Sequence, residues 1–207
     1  QLRADSPLLG AIEGMGLARR SRPAWTNYVL RLDGFESFED YLRGRGSNLR
    51  LDHGRRLRRL ADAGRYQLER EHSGAALDWL LDNKRDWLDR TGKTGAWLSS
   101  GYAKRFFHAA LLRPGAQPWS VWSILIDGER IAASLSLEER ESWSPYMIVQ
   151  NAAMNHLAPG RTLNLLMVER AFASGISRVE FGITNKDWKE RLGAGHEAVL
   201  SEKVRIR

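Results

Sequence analysis

The chain contains no cysteine and no long uninterrupted apolar run. Without cysteine it forms neither disulfides nor thiolate metal sites, and this composition fits a reducing compartment such as the cytoplasm. No apolar run approaches the ~18 residues of a membrane-spanning helix, and the N-terminus lacks the apolar core of a signal peptide. No histidine cluster or carboxylate pair has the spacing of a metal site or a glycosidase. We therefore expect a cytoplasmic protein without a membrane span and without a metal.

Positive charge is in excess, because 32 Lys and Arg residues face 25 Asp and Glu residues, for a net charge of +7. This balance favours an anionic partner, which can be a nucleic acid, a membrane surface or a phosphorylated cofactor. Much of the charge lies in a helix predicted over residues 48–64. One face of this helix is formed by Leu49, His53, Leu57 and Leu60. The remaining positions include Arg50, Arg55, Arg56, Arg58 and Arg59. No aromatic residue is interleaved to stack on bases, which favours a solvated face over a polyanion-binding patch.

The most regular pattern lies between Trp119 and Gln150, where apolar residues alternate along predicted strands. Asp127-Gly128 supplies a two-residue hairpin turn between the first two strands. Pro145 indicates an edge or a bulge in the third strand. The sequence therefore predicts an antiparallel meander in this region.

A turn segment over residues 155–161 follows the meander and leads into an apolar helix that Gly175 ends. A strand over residues 178–182 comes next, with Glu180 pointing away from the core side chains. A helix that begins directly after a glycine-containing loop has unpaired N–H groups and the positive end of its dipole at its start. Gly160 lies in that loop, so the sequence predicts an anion site there.

The order of meander, Pro-Gly loop, buried helix, strand, short helix and closing strand resembles the GNAT-type N-acyltransferase fold. This resemblance implies an α/β fold with a mixed, mostly antiparallel sheet flanked by helices and preceded by the basic helical segment. Several strings are similar to the CelD-like branch, whose members are acetyltransferase-like proteins associated with bacterial cellulose and exopolysaccharide production. These strings are Asn48-Leu49-Arg50, Ala158-Pro159-Gly160, Val179-Glu180-Phe181-Gly182 and Asp187-Trp188-Lys189.

The chain departs from its relatives at three points. Members of the branch usually have Asp where Glu180 stands and Tyr where Trp188 stands. The familiar GNAT signature, Gln/Arg-x-x-Gly-x-Gly/Ala, is represented in the loop by Gly160 alone.

Family chains of this kind usually carry a preceding, related half. We therefore expect residues 1–22 to be the remnant of such a half or a linker, residues 23–207 to be the GNAT-like domain, and a missing N-terminal half to be a partner.

The resemblance implies an acyl-CoA-dependent N- or O-acyltransferase in bacterial envelope polysaccharide metabolism. Its donor would be acetyl-CoA or another acyl-CoA, and its acceptor a small or sugar-derived molecule. Two alternatives stay open. Fem-type transferases share the architecture and use aminoacyl-tRNA, which would make a nucleic acid the partner. A non-catalytic half that only supports the missing one is the other alternative.

Acyl transfer needs a phosphate anchor, a polarised thioester carbonyl and a route for the acceptor's proton. The resemblance places the anchor at Gly160, Arg161 and Thr162, although Gly160 can equally be a simple turn residue and Thr162 a helix N-cap. Glu180 is the first candidate for the general base, and it can equally be a half-exposed strand carboxylate. His156 is the second candidate, because histidine side chains can accept a proton near neutral pH.

Three further residues complete the predicted site. Tyr146 would donate a proton to the leaving thiolate, with packing as the alternative role. Lys189, together with Trp188, would lie near a phosphate or an acceptor carboxylate, as the family's corresponding residues imply.

Overall fold

The structure is a computed structural model that describes residues 2–3, 11–12, 14–15, 19–93, 95–113, 118–183 and 186–204. The chain forms two compact units, and each is described here by itself. The terminal unit consists of Gln1–Arg31 and Glu180–Arg207, and the central unit consists of Leu32–Val179.

The described strands are β1 (Leu2–Arg3), β2 (Arg19–Arg31), β3 (Tyr66–Glu71), β4 (Trp119–Ile126), β5 (Glu129–Glu138), β6 (Ser142–Gln150), β7 (Arg178–Glu180) and β8 (Gly195–Val204). The described helices are α1 (Phe38–Gly44), α2 (Ser47–Ala63), α3 (Gly74–Arg90), α4 (Ala96–Ser99), α5 (Gly101–Leu112), α6 (Pro159–Ala173) and α7 (Lys186–Arg191), with a 3-10 helix over Ala152–Leu157. The sequence predicts a short helix over residues 184–192 and a last strand over residues 198–206. Of these, Thr184, Asn185, Arg205 and Ile206 lie outside the described residues.

In the terminal unit, β8 lies between β1 and β2 and is antiparallel to both. The β-rich run over residues 25–32 predicts a strand that begins at Trp25. Strand β2 begins earlier, because its backbone pairing with β8 extends to Arg19. The β8 ladder supplies hydrogen bonds that local sequence does not reveal, so the propensity of the residues before Trp25 matters little.

In the central unit, the strand order is β7-β6-β5-β4-β3, and the ladders are antiparallel except for the parallel pair β6–β7. The predicted β4–β5 hairpin is confirmed. Asp127 and Gly128 both have positive φ, 49° and 85°, as a turn that matches the twist of its strands requires.

Helices cover both faces of this sheet. On one face, a buried cluster joins α3 and α5 to alternate residues of the strands: Leu77, Leu80, Leu81, Leu111, Val121, Leu135, Met147 and Val149. On the other face lies α6, which is buried around most of its circumference as predicted. Because both faces are covered, β4 and β5 are buried at nearly every position. Burial of each Leu or Val side chain contributes about 1.5–3 kcal/mol. The expected fold class is thereby confirmed.

The basic helix is confirmed as α2. His53 and Leu60 lie on its buried face, whereas Arg50, Arg55, Arg58 and Arg59 are exposed. The buried face of α2 packs against α6 and the 3-10 helix. Helix α2 is therefore part of the surroundings of the predicted phosphate site.

Candidate active site

The start of α6 is more tightly built than a loop. The 3-10 helix ends at Leu157, Ala158 takes the left-handed conformation with φ 50° and ψ 46°, and Pro159 is the first residue of α6. Proline suits this position because its missing N–H would have no partner there. Gly160 therefore lies inside the first helical turn, which corrects the expectation that it belongs to a loop.

The backbone N–H groups predicted to be unpaired already have acceptors. Gly160 N donates to Gln150 Oε1 at 2.9 Å, and the N–H groups of Arg161 and Thr162 donate to the carbonyl of Ala158 at 3.2 Å. Thr162 is fully buried and donates its hydroxyl to the same carbonyl, so it is not the N-cap. The expectation of open N–H groups was wrong, because an αL residue and a strand-end glutamine satisfy them locally.

Positive charge nevertheless collects at this helix start. Arg161 is exposed, and Arg56 of α2 is partly buried and paired with Asp52. Burial lowers the pKa of Arg56, and the positive charge of Arg161 lowers it further against the opposing effect of Asp52. Arg56 and Arg161 thus lie within electrostatic range of each other, and Asp52 pairs with Arg56.

Strand β6 carries an irregularity at Tyr146. Leu135 pairs with Met147 but the next residue, Ser136, pairs with Pro145, so Tyr146 is the extra residue of a bulge, as Pro145 predicts. The Tyr146 ring is 57% exposed and lies 5.6 Å and 5.8 Å from the ring centroids of Phe107 and Trp119. Tyr146 therefore packs against two aromatic rings while more than half of the residue stays exposed.

His156 lies near the end of the 3-10 helix and is exposed. The central unit thus holds His156, Tyr146 and the residues at the start of α6. Glu180, Trp188 and Lys189 belong to the terminal unit.

In the terminal unit, Glu180 is the last residue of β7 and is half-buried. Asn27 of β2 is buried and donates through Nδ2 to Glu180 Oε2 at 3.0 Å. Backbone hydrogen bonds from Phe181 N to Tyr28 O and from Tyr28 N to Gly182 O fix the chain beside this contact. Asn27 therefore orients one carboxylate oxygen of Glu180.

Lys189 differs from the expectation that its ammonium meets a phosphate or carboxylate. It is 2% exposed and donates to the Gly182 carbonyl at 2.9 Å, with its Nζ 5.0 Å from the Tyr28 ring centroid. Burial lowers the pKa of Lys189 to about 8. Neighbouring Trp188 packs edge-on against Phe181 at 5.1 Å. In this arrangement, Lys189 holds the turn that follows Glu180.

Three residues near these positions were not predicted from the sequence. Gln150 follows an apolar strand and gives no signal beyond its polarity. Arg56 lies three residues after the buried His53, so the helical period could have placed it beside the apolar face. Asn27 interrupts a β-rich run, and only the fold reveals its carboxylate partner.

Within the described residues, no group of three or more His, Cys, Asp or Glu side chains has the arrangement of a metal site. No helix in the described part of the chain is both long and apolar enough to cross a membrane.

The fold and the site elements together define an N-acyltransferase type of architecture: a meander with a bulged strand, a buried helix after a tight turn, and a parallel neighbouring strand. Residues 47–190 match the acetyltransferase (GNAT) domain family, and the chain belongs to this family. GNAT domains are acyltransferases that use acyl-CoA, and this chain is assigned to that enzyme class. Among curated proteins, none matches this sequence.

Solved structures resemble the chain over nearly its whole length. FemX has a TM-score of 0.66 at 10% identity, covering 97% of this chain and 69% of that one. The C-terminal domain of a predicted lysylphosphatidylglycerol synthetase from Agrobacterium fabrum has a TM-score of 0.63 at 13% identity, with coverages of 96% and 65%. A conserved protein of unknown function from Bacteroides thetaiotaomicron has a TM-score of 0.61 at 10% identity, with coverages of 96% and 67%. The chain spans about two thirds of these proteins, and identities this low show the fold alone.

Proposed function

We propose that the chain is an acyl-CoA-dependent N- or O-acyltransferase, with acetyl-CoA as the first donor to test. The observation that carries this proposal is the helix start at Gly160, where Arg56 and Arg161 place positive charge beside the N-terminal end of α6. Acyl-CoA carries a pyrophosphate, which such a helix end attracts through its dipole and through arginine.

The side chain of Gln150 is the part of this arrangement that has to move. A β-carbon built on Gly160 would lie 2.6 Å from Gln150 Oε1, so the glutamine amide fills the space directly against the glycine. Gln150 is also held by Asn155, whose Oδ1 accepts from Gln150 Nε2 at 2.5 Å. An incoming phosphate oxygen replaces the glutamine oxygen as acceptor for the Gly160 N–H, since both are hydrogen-bond acceptors.

In this proposal Glu180 is the general base that takes the acceptor's proton, with Asn27 positioning its carboxylate. His156 is the alternative base, and the hydroxyl of Tyr146 is the proton donor for the leaving thiolate. Trp188 and Lys189 support the turn after Glu180. Thr162, being buried, supports the helix start and leaves phosphate contact to Gly160 and Arg161.

The binding of CoA and acetyl-CoA by isothermal titration calorimetry tests the donor. Gly160→Glu places a negative charge at the helix start and crowds Gln150. We therefore expect the affinity of this variant for CoA and acetyl-CoA to fall at least about tenfold, or about 1.4 kcal/mol. Gly34→Glu is the charge-matched control, because a β-carbon at Gly34 meets nothing within 4 Å. In Gln150→Ala/Gly160→Glu the collision is removed while the added charge remains. Equal affinity of the wild type and both Gly160 variants would place the phosphate site elsewhere.

The acceptor side of the proposal is a small or sugar-derived molecule of the bacterial cell envelope or of an exopolysaccharide, in a cytoplasmic reaction. Its support is the similarity of the strings around Asn48, Gly160, Glu180 and Lys189 to the CelD-like branch. We also propose that residues 1–22 are the end of a preceding related half and that residues 23–207 are the catalytic domain.

A second candidate function is a Fem-like transfer from aminoacyl-tRNA. It is supported by the structural likeness to FemX and by the exposed arginines of α2. Wild-type protein that binds RNA and fails to bind any CoA thioester would favour this candidate over the first.

A further inference from the structure

Two lysines contact the same indole ring at the end of α3. The Nζ atoms of Lys84 and Lys93 lie 4.1 Å and 4.6 Å from the Trp87 ring centroid. Lys84 and Trp87 are half-buried, and Lys93 is exposed. Across the part of the chain that the structure describes, no carboxylate forms an ion pair with either lysine. Within the described residues, the two ammonium groups therefore lie near the same ring without an ion-pair partner.

The position of Lys84 on the sheet follows from backbone pairing. Lys84 Nζ donates to the Ile148 carbonyl of β6 in a long hydrogen bond of 3.4 Å. Asn151 N donates to Ile131 O, and Ile148 lies three residues earlier, opposite Ser134. Because hydrogen-bonded and non-hydrogen-bonded pairs alternate in an antiparallel ladder, the Ile148 carbonyl points away from β5. The ammonium of Lys84 thus lies at the edge of β6 that faces away from β5.

Along this edge of β6, the described strand pairing of the central unit is limited to the start of the strand. The described parallel pairing with β7 covers Ser142 and Trp143, before the bulge at Tyr146. Ile148 also adjoins the proposed phosphate site, since its Cγ2 lies 3.8 Å from the β-carbon position at Gly160. Lys84 therefore contacts the backbone of a residue whose side chain borders the proposed phosphate site.

The local environment disfavours the charge of Lys84. Burial lowers the pKa of Lys84, and the nearby charge of Lys93 lowers it further. A single carbonyl and the face of Trp87 offset only part of the lost hydration, because cation–π contacts contribute about 0.5–2 kcal/mol. An oxyanion bound within reach of both ammonium groups would weaken their mutual repulsion and accept hydrogen bonds from their N–H groups.

We propose that Lys84 and Lys93, packed against Trp87, form a subsite for an oxyanion carried by one of the two substrates. The subsite lies at the edge of β6 that faces away from β5. The oxyanion is a carboxylate or a phosphate, and it belongs either to the acyl group of the donor or to the acceptor. This inference rests on the proposed acyltransferase function and names the charge of one substrate. No proton or group transfer is assigned to the lysines, which bind and position.

Two pairs of probes distinguish the sources. Succinyl-CoA and butyryl-CoA test the donor, because their acyl chains have equal carbon numbers and differ in the terminal carboxylate. Glucose 6-phosphate and glucose test the acceptor in the same way. Titration calorimetry on the wild type should show that one anionic probe binds at least about tenfold more tightly than its neutral counterpart, or about 1.4 kcal/mol. This preference should weaken with added salt.

The variant Lys84→Met/Lys93→Met should lose that preference, whereas Lys84→Arg should keep most of it. Lys104→Met is the matched control, since Lys104 of α5 is paired with Asp78 of α3 at 2.7 Å. Urea unfolding checks the fold, and we expect the double variant to be at least as stable as the wild type because two repelling charges are removed. If neither anionic probe is preferred, or if Lys104→Met abolishes the preference as well, the subsite is overturned.

Acetyl-CoA separates this inference from the proposed function. Wild type and the double variant should bind acetyl-CoA alike, because acetyl has no carboxylate to meet the lysines. If the wild type binds acetyl-CoA but binds neither anionic probe more tightly than its neutral counterpart, the subsite is overturned and the proposed function stands. Wild type that binds no CoA thioester overturns the proposed donor, and the sugar-phosphate pair then decides the subsite alone.

Discussion

At the scale of single residues, Lys189 is the clearest departure from expectation. A lysine after a strand suggests a surface charge available to a substrate, yet its ammonium is enclosed by the Gly182 carbonyl and the Tyr28 ring. Burial disfavours the charged form and so lowers the pKa from 10.5 to about 8. The charge state of Lys189 therefore affects folding stability directly.

The sign of this effect can be tested. Between pH 8 and pH 10.5, native Lys189 has released a proton that the unfolded chain still binds. The free energy of unfolding should rise with pH across this window, by at most about 1.4 kcal/mol per pH unit from this group. Lys189→Met should lack this component in urea unfolding at both ends of the window, and Lys104→Met should retain it. A rise unchanged in Lys189→Met would assign the proton to another group.

Glu180 is the other residue whose role can be isolated. Glu180→Gln keeps the shape of the side chain and removes its capacity to take a proton. Loss of a general base lowers turnover by about a hundredfold or more, so we expect that fall with folding and acetyl-CoA binding preserved. Turnover measured by thiol release should be unaffected in Glu129→Gln, a charge-matched change at the exposed start of β5. Full activity of Glu180→Gln would remove Glu180 from the mechanism and make His156 the next base to test.

At the scale of elements, periodicity predicted most of the central unit. Strands β4 to β6, the Asp127-Gly128 turn, the buried helix α6 and the basic helix α2 all follow from local patterns. The start of α6 did not, because it depends on Ala158 in a left-handed conformation that alanine rarely adopts. The Gln150 contact to Gly160 is likewise a tertiary feature that no local spacing encodes.

The proposed role of Lys84 is not evident from the helix in which it lies. The helical period places Lys84 on the apolar face of α3 with Leu77, Leu80 and Leu81, and the structure agrees. A lysine on such a face is expected to extend its stem along apolar surface. Its proximity to the edge of β6 emerges only when the helix is packed on the sheet.

At the scale of the whole molecule, the net charge of +7 has two possible uses. Arg56 serves the start of α6 in the proposed function, whereas Arg50, Arg55, Arg58 and Arg59 face solvent. If the exposed arginines only form a solvent-exposed face of α2, Arg55→Gln/Arg59→Gln should change the free energy of unfolding by about 0.5 kcal/mol or less per site. Fluorescence anisotropy with tRNA should then show equal, weak binding for the wild type and this variant. A large loss of affinity with a steep salt dependence would favour the tRNA-dependent function.

The terminal unit draws its strands from both ends of the chain. Arg31 of β2 pairs with Glu197 of β8 across 166 positions of sequence, whereas the central unit is one continuous stretch. During synthesis on the ribosome, β2 leaves the exit tunnel long before its partner β8 is translated. The central unit can therefore fold while the chain is still growing, whereas β2 lacks its β8 partner until Gly195–Val204 has been synthesised. A nascent chain halted before Gly195 should consequently expose β2 to chaperones or to protease.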